Sequence, residues 1–142
     1  MKRRLSESLL LFLGVVKWFL LATAIGILVG AVTTAFLKAL DYGIASAGRY
    51  EWTFLLLPAA LFLSALFVRY LAPAAEGHGT EKVIEAVHKR SGKISPAVVP
   101  VKAVATLITL SFGGSAGKEG PSAQIGAGIA SMFAGLFGFS PE

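Results

Sequence analysis

The run Gly113-Gly114-Ser115-Ala116-Gly117-Lys118-Glu119-Gly120-Pro121 sets a cation and a carboxylate side by side in a glycine-rich break between two apolar segments. Irregular polar backbone is expensive at membrane depth and is tolerated where it lines a water-filled cavity or is buried in protein. Ionisable residues in such a place, here Lys118 and Glu119, are functional-site candidates by default. Pro121 suits the first position of a helix, where its missing N–H costs nothing. A helix opening there offers unpaired amides and roughly half a positive charge, which is an anion site. Broken helices whose N-termini point at an anion near the bilayer midplane are a transport device. A helix-capping role for Glu119 is compatible with such a site.

Three other chemistries fail on spelling. A phosphate-binding loop needs GxxxxGK[ST], but Phe112 stands five residues before Gly117, and Glu119 follows Lys118. A dinucleotide fingerprint begun at Gly126-Ala127-Gly128 meets Ser131 at its third glycine and lacks a preceding strand. Gly113-Gly114-Ser115-Ala116-Gly117 matches the hydrolase elbow GxSxG, yet no His follows Ser115 to complete a triad. No catalytic residue is assigned, and the chain is expected not to be an enzyme. With no Cys and only His78 and His88, no metal site is expected, and no cofactor either.

The elements that must position this break are those of a membrane protein. Of 142 residues, 55% are hydrophobic and 15% charged, against about 25% charged in an ordinary soluble domain. The formal charge of +5 fits the Lys/Arg bias that orients membrane segments. There is no basic stripe interleaved with aromatics, so no nucleic-acid partner is expected. The basic N-terminus and the apolar run 9–16 imitate a signal peptide. Lys17 interrupts that run and hydrophobicity continues past Ala24, so an uncleaved start is expected.

The uncharged stretch 18–37, at 1.5 Å per residue, makes about 30 Å of helix, enough to cross a bilayer core. A first span is expected over about 18–40, with Gly26 and Gly30 forming a GxxxG step. A second is expected over about 52–70, with a kink or an irregular first turn at Pro58. The polar stretch 70–100 carries Lys82, Lys89, Arg90 and Lys93, and with the N-terminus it is placed on the cytoplasmic side. Within it Val83, Ile84 and Val87 fall at helical spacing, predicting a short amphipathic helix over about 80–89 that ends at Ser91-Gly92. The apolar segment that follows is too short to span alone. It predicts a re-entrant pair over about 101–112 and 120–139. Ser122, Gly126, Ala130, Ala134 and Gly138 recur every fourth position, a flat face for a partner helix.

The segment from Gly113 through Pro121 to Gly126 resembles the G[KR]EGP region of the CLC chloride channel and proton/chloride antiporter family. Gly77-His78-Gly79-Thr80-Glu81 sits where that family carries its GSGIP segment, and the order of elements agrees. The resemblance implies an all-α membrane protein, a CLC-type bundle of tilted and discontinuous transmembrane helices, incomplete in this chain. It implies chloride or a similar small anion as cargo, the lipid bilayer as surroundings and a homodimer for the full-length protein. Gly117, Lys118 and Gly120, with Gly77, His78 and Gly79, would bind the anion. Glu119 would be the gating glutamate, competing with the anion for the helix N-terminus and passing a proton in antiporters.

The chain departs from the family's pattern at His78, where a Ser is usual, at Glu81 in place of Pro, and at Lys118 in place of the commoner Arg. The family's GxFxP segment, pore Tyr, inner Glu and dimer helices are expected beyond Glu142. The alternative is a non-transporting membrane scaffold or truncated remnant needing a partner chain.

Overall fold

A computed structural model describes residues 2–138. Met1, residues 139–142 and therefore the expected helix end at 139 lie outside the described residues. Among the described residues the chain forms five α-helices and no strand: α1 (Lys2–Ala47), α2 (Leu57–Leu71), α3 (Gly79–Arg90), α4 (Val98–Ser111) and α5 (Glu119–Leu136). Short 3₁₀ turns at Thr53–Leu56 and Pro73–Ala75 join α1 to α2 and α2 to α3.

The first helix runs 46 residues, about 70 Å, well beyond the span expected over 18–40. No proline interrupts it, and it stops only at Gly48, whose N–H donates to the Ile44 carbonyl at 2.9 Å. Pro58 occupies the first turn of α2 and is preceded by the 3₁₀ turn, so the irregular start falls where the sequence places it. Leu11–Ala47 and Thr53–Leu71 are each long and apolar enough to cross a membrane. Their outer faces, among them Phe19, Ile27, Leu61 and Phe62, are exposed.

Helix α5 lies at the centre, packed against α1, α3 and α4, while α4 also packs on α1 and α2. Phe36 and Leu40 of α1 meet Ile125 and Ile129 of α5 in the main core cluster. A second cluster joins Ala72 and Ala75 to Val98 and Val101 of α4, seating the 3₁₀ turn Pro73–Ala75 on that helix. Lipid tails are as apolar as these side chains, so close fit rather than water expulsion holds such helices together. Gly128 shows the fit: a Cβ there would lie 2.6 Å from a Val99 methyl on α4. At the same helix level Ser131 accepts a hydrogen bond from the Ile94 N–H at 3.0 Å.

Two expected faces turn out otherwise. On α3 the buried residues are Gly79 and Ala86, and the exposed ones include Ile84 and Val87. Small residues let α3 approach α5 closely, which branched side chains would prevent. On α5 the buried line is Gly120, Gln124, Ile125, Gly128 and Ile129 rather than the small-residue row. Of that row, Gly126 faces α1, where a Cβ would meet Val29 at 3.1 Å. At Gly26 and Gly30 a Cβ would meet no atom of another helix within 4 Å. At the exposed polar face of α3, Lys82 holds the Glu85 carboxyl below the usual carboxylate range, with Lys89 adding to the effect. Ser91 (φ 50°) and Gly92 (φ 75°) turn the chain out of the helix in left-handed conformations.

Candidate functional site: two helix N-termini beside two cavities

The loop Gly113–Lys118 unwinds the chain between α4 and α5, and Glu119 is the first residue of the new helix. Ser122 closes the first turn by donating from its N–H and its hydroxyl to the Lys118 carbonyl, at 3.0 and 2.7 Å. The amides of Glu119 and Gly120 precede any intrahelical acceptor, and Pro121 has no N–H to leave unpaired.

Helix α3 begins in the same neighbourhood. Its N-cap residue, His78, has extended backbone and makes no capping hydrogen bond with its ring. Gly77 before it takes φ +75°, a conformation that costs an L side chain roughly 1–2 kcal/mol. The two helix starts touch backbone to backbone: a Cβ at Gly79 would overlap the Gly120 carbonyl oxygen. A Cβ at Gly120 would in turn lie 3.3 Å from His78 Nδ1 and 3.4 Å from the Gly79 nitrogen. Two positive helix ends thus converge on one place.

A cavity of about 460 Å³ opens beside this contact, lined by residues that include His78, Gly79, Lys102, Gly117, Glu119 and Gly120. A second cavity, of about 550 Å³, lies against Asp41, Ser115, Lys118 and again Gly117 and Glu119. Glu119 therefore belongs to both. Its carboxylate folds back over Gly117, with Oε2 2.6 Å from where a Cβ of that residue would stand. Of the residues expected at the site, Gly77, His78, Gly79, Gly117, Glu119 and Gly120 share the first cavity. Lys118 does not; it is exposed and lines only the second.

Sequence reasoning assigned no role to two buried polar residues. Lys102 of α4 is 8% exposed, and its Nζ donates to the carbonyls of Ala75 (2.9 Å) and Gly77 (2.8 Å). Gln124 of α5 is 1% exposed and donates from Nε2 to the Ala74 carbonyl at 2.9 Å. Its Oε1 is buried and accepts no hydrogen bond. The signal for Lys102 was its place among apolar residues, since a lone cation in a membrane segment is costly. Polar contacts also tie α2 to the cavity wall: Ser64 donates to the Ala105 carbonyl and accepts from Thr109, both at 3.1 Å. Among the described residues no group of His, Cys, Asp or Glu is placed to hold a metal ion.

Comparison with known proteins defines the class. The family model described as voltage gated chloride channel matches residues 60–142. The chain belongs to this family and is an all-α membrane protein. It is similar to the chloride/fluoride channel protein of Pseudomonas syringae pv. tomato, with 28% identity over 136 residues, 96% of this chain and 30% of the relative. It is also similar to the H(+)/Cl(-) exchange transporter ClcA of Salmonella arizonae, with 34% identity covering 83% of this chain and 28% of that protein. The ClcA of Klebsiella pneumoniae gives 33% identity, covering 87% of this chain and 29% of that protein. The chain thus spans under a third of the length of these curated relatives. No solved structure matches significantly.

Proposed function

We propose that this chain forms the entry part of a transmembrane path for chloride or a similar small anion, in a channel or a proton/chloride exchanger gated by Glu119. The observation that carries the proposal is that Glu119 lines both cavities, at the place where the starts of α3 and α5 converge. An anion in the first cavity meets unpaired amides and two positive helix ends. A carboxylate tethered at the edge of both cavities competes for the same positive potential. When it is protonated or swung aside the anion takes its place, and when it returns the way is closed.

In this proposal Gly77, His78, Gly79, Gly117 and Gly120 bind the anion, and Lys118 draws anions into the second cavity by its charge. The protein crosses the bilayer more than once, with its N-terminus and the basic stretch 82–93 in the cytoplasm, and it works as a homodimer. The spans lie over about 18–40 and 52–70, and α4 and α5 form the re-entrant pair. Fluoride is a second candidate cargo, because the Pseudomonas relative bears it in its name and His78 adds a ring N–H donor to the cavity.

The test is halide efflux from liposomes containing the intact protein. Chloride or fluoride release above that of empty vesicles supports transport. A folded, reconstituted protein that releases neither would make it a membrane scaffold.

A further inference from the structure

We infer that Lys102 and Gln124 act together as a clamp that sets the orientation of the α3 N-terminus toward the anion. This rests on the transport proposal and adds two positioning residues to it.

The segment from Pro73 to His78 has no regular partner strand or helix to fix its peptide planes, apart from one 3₁₀ turn. Three of its carbonyls, those of Ala74, Ala75 and Gly77, are instead taken by two buried side chains from different helices, Gln124 on α5 and Lys102 on α4. A peptide unit is planar, so a carbonyl held on one side fixes the N–H on the other. Securing the Gly77 carbonyl on Lys102 therefore sets the His78 N–H, and securing the Ala75 carbonyl sets that of Glu76. Gly77, at φ +75°, has no Cβ to stiffen the loop by itself.

The charge argument points the same way. Ala75 and Gly77 line the first cavity, where free carbonyl oxygens would repel an anion, and Lys102 of α4 donates to both. The clamp also spans the site: Lys102 lines the same cavity as His78 and Glu119, while Gln124 lies on α5 one turn beyond Gly120. A Cβ at Gly79 would come within 3.2 Å of the Gln124 Cβ, so Gln124 backs the very residue whose position it sets. Among the described residues Lys82 and Lys89 pair with Glu85, and Lys102 takes no part in these ion pairs. Its hydrogen bonds go to backbone, as a structural clamp requires.

The experiment uses the intact protein and four variants: Lys102→Met, Gln124→Leu, the double variant that combines them, and Lys102→Arg, which keeps donors. Amide hydrogen exchange is followed over residues 74–81, and chloride affinity is measured by calorimetry on the same samples. The clamp predicts exchange in this loop about tenfold faster in Gln124→Leu, which loses one hydrogen bond, and faster still in Lys102→Met, which loses two, with α1 and α2 unchanged. It predicts weaker chloride binding in both, with the double variant losing less than the product of the single losses, because one loop is being released. Lys102→Arg should recover part of the affinity. Exchange within twofold of wild type in both variants overturns the clamp. Faster exchange with chloride affinity within twofold of wild type overturns its role in anion binding and leaves it a structural tie. If the wild type itself binds and passes no halide, the transport proposal fails, and the exchange measurement alone then decides the clamp.

Discussion

Gly79 and Gly120, on different helices, are in backbone contact, and neither position has room for a side chain at its present separation. A Cβ at Gly79 would overlap the Gly120 carbonyl, whereas one at Gly120 would press on the His78 ring and the Gly79 nitrogen at 3.3–3.4 Å. The contact brings the starts of α3 and α5 together, and with them the two glycine-bearing motifs that stand about forty residues apart in the chain.

The asymmetry of that contact predicts a rank order. Gly79→Ala must move backbone against backbone, and overpacking of this kind costs about 1–3 kcal/mol. Gly120→Ala asks for a few tenths of an ångström from a side-chain ring, and should cost less. Thermal unfolding in detergent checks the order, and equal losses in the two variants would contradict it.

Gly128 makes a different prediction, because its obstacle is a methyl group. Gly128→Ala pushes a Cβ to 2.6 Å from the Val99 side chain, separating α4 from α5. The loss should be about 1–2 kcal/mol, and Val99→Ala should return most of it in the double variant. A double variant as unstable as the sum of the two single ones would show that these side chains do not meet.

The break between α4 and α5 could be read from the chain because glycines, adjacent charges and Pro121 each oppose a continuous helix at the same place. The bounds of α3 were legible for a similar reason, with Ser91 and Gly92 able to take positive φ. The buried faces were not. Hydrophobic periodicity marks the apolar face, but the close backbone approach of α3 to α5 selects small residues, so Gly79 and Ala86 pack while Ile84 and Val87 point outward. Lys102 lies one turn inside α4. Its partners, the Ala75 and Gly77 carbonyls, are backbone groups to which no residue pattern points. Lys118 shows the converse: adjacent to Glu119 in the chain, it faces a different cavity from His78.

His78 should tune which anion is preferred. Its ring lies against Gly120 and lines the first cavity, where a hydrogen bond to a charged partner is worth about 1.5–3 kcal/mol. His78→Ala should weaken halide binding by about tenfold or more on that scale, and His78→Ser should restore part of it through a hydroxyl donor. Reversal potentials with paired fluoride, chloride and nitrate gradients would register the change in preference. Identical preferences in all three proteins would place His78 outside the anion site.

The central claim is that the Glu119 carboxylate is the gate. It is tested most directly by anion and proton flux from liposomes containing the intact protein with Glu119→Gln, measured between pH 4.5 and 7.5. Glutamine keeps the shape of the side chain but has no ionisable proton and no charge to compete with the anion. The account predicts that anion flux persists, loses its dependence on pH and carries no coupled proton movement. A Glu119→Gln protein whose anion flux follows pH as the wild type does, with the same proton movement, would contradict it.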